Sequence, residues 1–155
     1  TINNKDRAAL LRQVSAEDLM HFGLIPEFVG RLPVLVTVDP LDLDALLRIL
    51  VEPKNALTKQ YQQLLGLDDV ELVFEESALR AAADIALRRG TGARGLRSII
   101  ESRLLDVMFE VPGHADIARV IIDGEVINGV GRPRIVGKDN TLYEIGSDGT
   151  LRAAA

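Results

Sequence analysis

The sequence predicts an α/β fold with α+β character, a mainly helical domain with a small β-sheet, preceded by short helices and one strand. Three observations carry this reading. Apolar residues recur at helical spacing through most of residues 41–107, as in Leu43, Leu46, Leu47 and Leu50, and again in Leu96, Ile99, Ile100, Leu104 and Val107. Two short runs rich in β-branched residues, Val70–Phe74 and Ala118–Ile122, fall between these helices and read as strands. A further run, Val34-Leu35-Val36-Thr37-Val38, is apolar without alternation, which is the pattern of a strand covered on both faces. Such a strand needs neighbours that nothing upstream supplies, so part of a sheet is expected to be missing and this segment to present an exposed apolar edge. At 155 residues the chain is one domain or a domain with an appendage, able to bury about 68–70% of its unfolded surface without a covalent staple.

Taken in order, residues 1–6 are polar and are expected to fray. Leu10, Leu11, Val14, Leu19 and Phe22 keep helical spacing, and Ser15 before Ala-Glu-Asp is a fresh N-cap, so two short helices are expected. Two prolines and two glycines in residues 23–33 then fix a backbone path. The apolar run 34–38 follows and Asp39-Pro40 ends it. Leu41 to Leu50 forms a helical stripe that Pro53 interrupts; Pro53 is expected to open the next helix, with Leu57, Tyr61, Leu64 and Leu65 on one face and Gly66 as its stop. After the strand at Val70–Phe74, Glu75-Glu76-Ser77 opens a helix that buries Leu79, Ala82, Ala83 and Ala86. Acidic residues in its first turn and Arg88-Arg89 in its last suit the helix dipole, and Gly90 terminates it. Residues 91–95 lead into a longer helix closed by Pro112-Gly113. Beyond Asp123 the chain is glycine-rich, with one hairpin expected across residues 141–152, turning at Ser147-Asp148-Gly149.

Composition removes several classes of function. Without cysteine there are no disulfides, thiolate metal sites or cysteine nucleophile, which agrees with a reducing, cytoplasmic setting. Two histidines far apart, His21 and His114, make no zinc site, so no metal is expected. The 18 basic against 23 acidic side chains leave a net charge of −5, which disfavours nucleic acid and anionic membrane as partners. Aromatic residues at 4% leave few platforms for stacking bases. No apolar run reaches membrane-spanning length and no charged-then-apolar leader is present, so a non-exported chain is expected.

The carboxylate pairs Asp68-Asp69 and Glu75-Glu76 are neighbours in sequence whose side chains point apart; a first-turn cap accounts for the second pair. A phosphate loop requires Gly, four residues and then Gly-Lys-Ser or Gly-Lys-Thr, whereas Gly137-Lys138 is followed by Asp139. The chain therefore holds no complete nucleotide site. Two arginines stand in more telling settings. Arg31 lies between Gly30 and Leu32-Pro33, at the mouth of the expected strand. Arg94 lies in Gly92-Ala93-Arg94-Gly95 at a helix start, where small residues admit a phosphate, unpaired N–H groups face it and a guanidinium can grip it. The same glycines also serve plain capping, and spacing alone does not separate the two roles. Arg97, one turn on, either assists Arg94 or faces water.

Three segments together resemble the C-terminal part of the ClpX family of AAA+ unfoldases, ring ATPases that partner the ClpP protease. They are Leu24-Ile25-Pro26-Glu27-Phe28-Val29-Gly30-Arg31-Leu32-Pro33, then residues 52–61 (Glu-Pro-Lys-Asn-Ala-Leu-Thr-Lys-Gln-Tyr), and Thr91-Gly92-Ala93-Arg94-Gly95-Leu96-Arg97-Ser98-Ile99. The likeness covers roughly residues 10–123, in order and at matching intervals. The related HslU unfoldases share weaker versions of these segments.

The resemblance implies an organisation: residues 1–38 as the C-terminal remnant of a large AAA+ domain, 39–41 as a hinge, 42–123 as the AAA+ small domain, and 124–155, which match no family pattern, as a Gly-rich extension. It makes Arg31 the box VII arginine, an arginine finger acting in trans, and Arg94 the sensor 2 arginine that contacts the nucleotide of its own subunit. Gly92 and Ala93 complete that nucleotide-binding motif, and Arg97 is a weaker candidate. The implied cofactor is ATP, with Mg in the full-length protein. The implied partners are neighbouring subunits of a homo-hexamer, with ClpP and protein substrates engaged through parts absent here. Hinge rotation would couple nucleotide state to domain movement. The family's Walker A and B motifs, sensor 1, pore loops, zinc-binding domain and ClpP-docking loop find no counterpart, so this chain alone is expected not to hydrolyse ATP. An HslU-like small domain and a non-catalytic assembly domain are the alternatives.

Overall fold

The structure, a computed structural model, describes residues 4–32, 34–146 and 150–154. It divides into two compact units, Thr1–Pro40 and Leu41–Ala155.

The first unit holds three short helices, α1 (Asn4–Leu11), α2 (Ala16–Phe22) and α3 (Pro26–Val29). Ser15 caps α2 reciprocally: its Oγ accepts from the Asp18 N–H at 3.3 Å, while its own N–H donates to Asp18 Oδ2 at 2.8 Å. Gly23 closes α2 at φ +118°, so that the Leu24 N–H reaches back to Leu19 O at 3.0 Å. Pro26 takes the first helical position of α3, where its missing N–H costs nothing. Among the described residues only Val29 of this unit is buried.

Residues 34–38 form no strand, contrary to the sequence expectation. Their composition favours an extended backbone, but a strand exists only through a ladder with a neighbour. No backbone partner for them lies among the described residues. An alternation survives without the ladder: Val34, Val36 and Val38 are 70%, 81% and 85% exposed, and Leu35 between them is 39%.

The second unit contains α4 (Leu43–Val51), α5 (Leu57–Gly66), β1 (Glu71–Phe74), α6 (Glu76–Arg88), α7 (Ala93–Glu110), β2 (Ile117–Ile122), α8 (Gly124–Asn128), β3 (Arg134–Gly137), β4 (Leu142–Ile145) and β5 (Leu151–Ala153). Asp42 caps α4 by accepting from the Ala45 N–H at 2.8 Å. Pro53 does not open α5. It begins a turn in which the Ala56 N–H donates to Pro53 O at 3.0 Å, and α5 starts at Leu57. The turn lets α5 fold back on α4, where the buried Thr58 hydroxyl donates to Leu50 O at 2.7 Å.

The five strands form one sheet in the order β1-β2-β3-β4-β5. β1 and β2 run parallel, Leu72 opposite Val120 and Phe74 opposite Ile122, and the remaining pairs are antiparallel. Parallel neighbours need a long crossover; here α6 and α7 supply it. Leu46, Leu50, Leu65, the alanines of α6, the inner stripe of α7 and the inward residues Leu72, Val120, Ile122, Ile135 and Ile145 make one core. Each large side chain so buried adds about 1.5–3 kcal/mol.

Residues 124–155 build more than the expected hairpin. Asp123 accepts from the Glu125 and Val126 N–H groups, both at 3.0 Å, and opens α8, which buries Val126 and Ile127. β3 then pairs with β2, and β4 pairs with β5 through Ile145 opposite Leu151. The expected turn at residues 147–149 lies outside the described residues. Glu75 takes the N-cap position of α6 with no side-chain cap and pairs with Arg134, while Glu76 accepts from Arg80 at 2.8 Å.

Candidate functional site

Arg94, Gly92, Ala93 and Arg97 come together at the start of α7, in the second unit. The approach to that helix is tightly specified. Gly90, at φ +63°, lets the Thr91 N–H return to Ala86 O at 3.2 Å and the Gly90 N–H to Leu87 O at 3.0 Å, which satisfies the last carbonyls of α6. Gly92 is the N-cap of α7 at φ 56°, ψ −152°, a region open essentially only to glycine. Gly95 makes room for Thr91: a Cβ there would stand 1.9 Å from Thr91 Oγ1.

Two consequences follow for Arg94. No side chain caps α7, so the N–H groups of Ala93 and Arg94 have no partner among the described residues. The Arg94 side chain is exposed and makes no hydrogen bond or ion pair there. Free N–H groups, the positive end of an 18-residue helix and an uncommitted guanidinium thus share one small patch. This is the chemistry of an anion site.

Arg97 is committed elsewhere. Its Nη1 donates to Glu101 Oε1 at 3.1 Å and its Nη2 to Gln60 Oε1 at 3.1 Å. The Tyr61 hydroxyl donates to the same Glu101 oxygen at 3.0 Å. Burial, then this bond to Glu101, push the Tyr61 hydroxyl above its usual range. Arg97 therefore ties α7 to α5.

A cleft of about 250 Å³ opens beside it, lined by Ile49, Leu50, Pro53, Leu57, Ala93 and Leu96, with Asn55, Gln60 and Arg97 as its polar members. The sequence reading placed Ile49, Pro53 and Asn55 in no site. Their signal was only that Pro53 interrupts a helical stripe; which wall that turn forms depends on the fold.

Arg31 belongs to the first unit. It follows α3 in a turn where the Gly30 N–H donates to Pro26 O at 2.8 Å and the Arg31 N–H to Phe28 O at 3.1 Å. With Val29 buried below, this turn fixes the backbone from which Arg31 projects, exposed and without a side-chain partner among the described residues.

The residues present fit part of a nucleotide. The exposed Arg94 guanidinium and the N–H groups of Ala93 and Arg94 suit an anionic group such as a phosphate. No set of three or more His, Asp or Glu among the described residues could hold a metal ion. No described helix is long and apolar enough to cross a membrane.

Residues 41–126 match the model of the C-terminal, D2-small domain, of ClpB protein. The chain is also 50% identical over 120 residues to the ATP-dependent Clp protease ATP-binding subunit ClpX 3 of Methylococcus capsulatus (strain Bath), a match covering 77% of this chain and 28% of that protein. The chain thus spans under a third of the length of that curated relative.

Proposed function

Since the chain belongs to the family of Clp AAA+ C-terminal small domains, we propose that it is the part of an ATP-dependent protein unfoldase that reports nucleotide state to the moving domains. In this reading Arg94 is the sensor 2 arginine. Its guanidinium and the N–H groups of Ala93 and Arg94 meet the phosphates of ATP held by the same subunit, and the cleft beside Ile49 and Leu96 takes the base. Arg31 is the arginine finger, reaching the γ-phosphate on a neighbouring subunit of a hexameric ring. Charge spreads over the phosphoryl oxygens during transfer, and a guanidinium fixed in place stabilises it without reorganising. The missing phosphate loop and the acidic ligands for Mg belong to other parts of the ATPase. Rotation about residues 39–41 then turns ATP turnover into force on substrates passed to ClpP in the cytoplasm.

The observation that carries this reading is the pairing of an uncommitted Arg94 with uncapped N–H groups at a helix start whose backbone only glycine can adopt. A plain surface arginine needs none of that arrangement. The test is Arg94→Ala and, separately, Arg31→Ala in the intact ATPase, measuring ATP turnover and unfolding of a tagged protein. Loss of one fixed donor to a developing charge costs about 10²–10³ in rate, so turnover is expected to fall on that order in both. Near-normal turnover and unfolding in both variants would remove the proposal.

A further inference from the structure

α7 carries another uncommitted guanidinium besides that of Arg94. About two and a half turns further on, Arg103 departs from the opposite side of the helix. Its Nε donates to Ile127 O at 3.2 Å, at the end of α8, and its two Nη groups have no partner among the described residues. Gly129 makes room for it: a Cβ there would stand 2.6 Å from Arg103 Nη2 and 3.0 Å from Cζ. One bond and one bare glycine thus place the group, and the N–H donors on both Nη atoms are left unused.

Arg103 borders a cleft of about 330 Å³ between α7, α8 and the end of β4. Val126 and Ile145, both buried, are its apolar lining. Arg132 closes another side, its Nη1 donating to Ile145 O at 3.4 Å and standing 3.8 Å from Glu144 Oε2. Two acceptors come from α7. Ser102 donates its proton to Ile99 O at 2.9 Å and keeps lone pairs to accept with, and Asp106 has no partner among the described residues. Arg132 and Ile145 lie beyond residues 41–126, which match the ClpB small domain, so the cleft is completed by the strands that follow that domain.

We propose that this cleft binds a small carboxylate attached to an aliphatic group. The planar fork of Arg103 matches a carboxylate with two parallel bonds. Asp106, on the same helix, tolerates one negative charge better than the higher charge of a phosphate, which sets this site apart from the patch at Arg94. Val126 and Ile145 take the hydrocarbon, and Ser102 and Asp106 accept from an N–H beside the carboxylate where the ligand has one. Isovalerate, a free acid, and N-acetyl-leucine, shaped as the end of a peptide, share this chemistry. None of it rests on the nucleotide reading: Arg94 can sense phosphate with the cleft empty, and the test uses no nucleotide.

Nuclear magnetic resonance of the nitrogen-labelled full chain reads the amides of Gly129, Gly131 and Gly146, which line the cleft. Isovalerate is expected to shift them saturably with a dissociation constant on the order of 1 mM, the level that a ligand of about seven non-hydrogen atoms reaches. Isoamyl alcohol, which lacks the charge, and inorganic phosphate, which lacks the hydrocarbon, are each expected to bind there about tenfold more weakly. Arg103→Lys keeps the charge but loses the fork and is expected to weaken isovalerate about tenfold. Asp106→Asn, at an exposed position without a partner among the described residues, is expected to strengthen it about threefold, and it reports on the site whether or not the Arg103 variant folds. N-acetyl-leucine binding tighter than isovalerate supports the site with the end of a peptide as its ligand, and the reverse order supports it with a free acid. The site is overturned if these glycines show no saturable shift by about 20 mM isovalerate, or if isoamyl alcohol or phosphate binds as well as isovalerate. It is overturned equally if either substitution, in a folded chain, leaves the constant unchanged.

Discussion

Arg94 and Arg97 sit one helical turn apart and are both exposed, yet only one is spoken for. Glu101, one turn on along α7, and Gln60, across on α5, together claim Arg97, whereas residue 98, one turn on from Arg94, is a serine. The Glu101 contact is legible at i, i+4 on one helix. The Gln60 contact was hidden, because residues 60 and 97 become neighbours only once α5 and α7 pack. The small residues around Arg94 were legible, and the structure supplies their separate causes. Gly92→Ala forces a side chain into backbone space reserved for glycine and is expected to cost about 1–3 kcal/mol of stability, read as a lower urea midpoint with unchanged slope. An unchanged midpoint would mean that the start of α7 relaxes freely. Ionisable residues add a pH signature. The Tyr143 hydroxyl donates to Asp116 Oδ2 at 2.6 Å, which holds that carboxyl below its ordinary value and the phenol above its own. Asp18, bonded by the Ser15 N–H, and Asp39, bonded by Arg12, are lowered likewise. A depressed carboxylate contributes stability that is complete above its unfolded value, near 4, and lost as pH falls through the native one. The urea midpoint is therefore expected to drop only below about pH 4, and less steeply in Asp116→Asn. The raised phenols act at the opposite end, where their contribution is lost only as pH climbs past about 10. The two tyrosines, 61 and 143, absorb at long wavelength when ionised, and Asp116→Asn is expected to return one of them to its ordinary range in an absorbance titration.

Among the elements, those that carry a period were legible and those that depend on a partner were not. α4, α6 and α7 show apolar residues at helical spacing, and β1 and β2 show β-branched runs; all five stand within a residue or two of expectation. The run 34–38 has the composition of a buried strand and lacks only a neighbour, which composition cannot supply. α8 is five residues long, too short for any period, and its traces were an N-cap, Asp123, and a closing glycine, Gly129. Pro53 was misplaced for a related reason. A proline can open a helix or a turn, and the choice is made by where α5 must lie for Thr58 to reach Leu50 O. That bond is the hinge-pin of the α4–α5 pair. Thr58→Val keeps the shape and removes the donor, leaving a buried carbonyl without a partner, which costs about 1–3 kcal/mol. Thr58→Ser keeps the donor and is expected to lose less; equal losses in a thermal melt would assign the effect to packing instead.

At the scale of the whole molecule the two units differ in kind. Every member of the principal core lies between Leu46 and Ile145, and the final strands are part of it, since Ile135 and Ile145 close it from β3 and β4. The first unit, by contrast, buries only Val29 among its described residues while Phe22 is 88% exposed and Val36 81%. Large apolar side chains left this exposed are surface that association would remove from water. Residues 41–155 expressed alone are therefore expected to fold cooperatively, with a melting temperature within about 4 °C of the main transition of the full chain, because a difference near 1 kcal/mol moves a domain of this size by that much. The full chain is expected to gain mass with concentration in sedimentation, and residues 41–155 to do so far less. Replacing Phe22 and Val36 by serine in the full chain is expected to lower its association without moving that transition. If residues 41–155 were unfolded by circular dichroism, the first unit would have to lend stability that its burial does not show. Equal association of both chains would instead place the sticky surface on the second unit, at exposed residues such as Leu105 and Phe109 of α7.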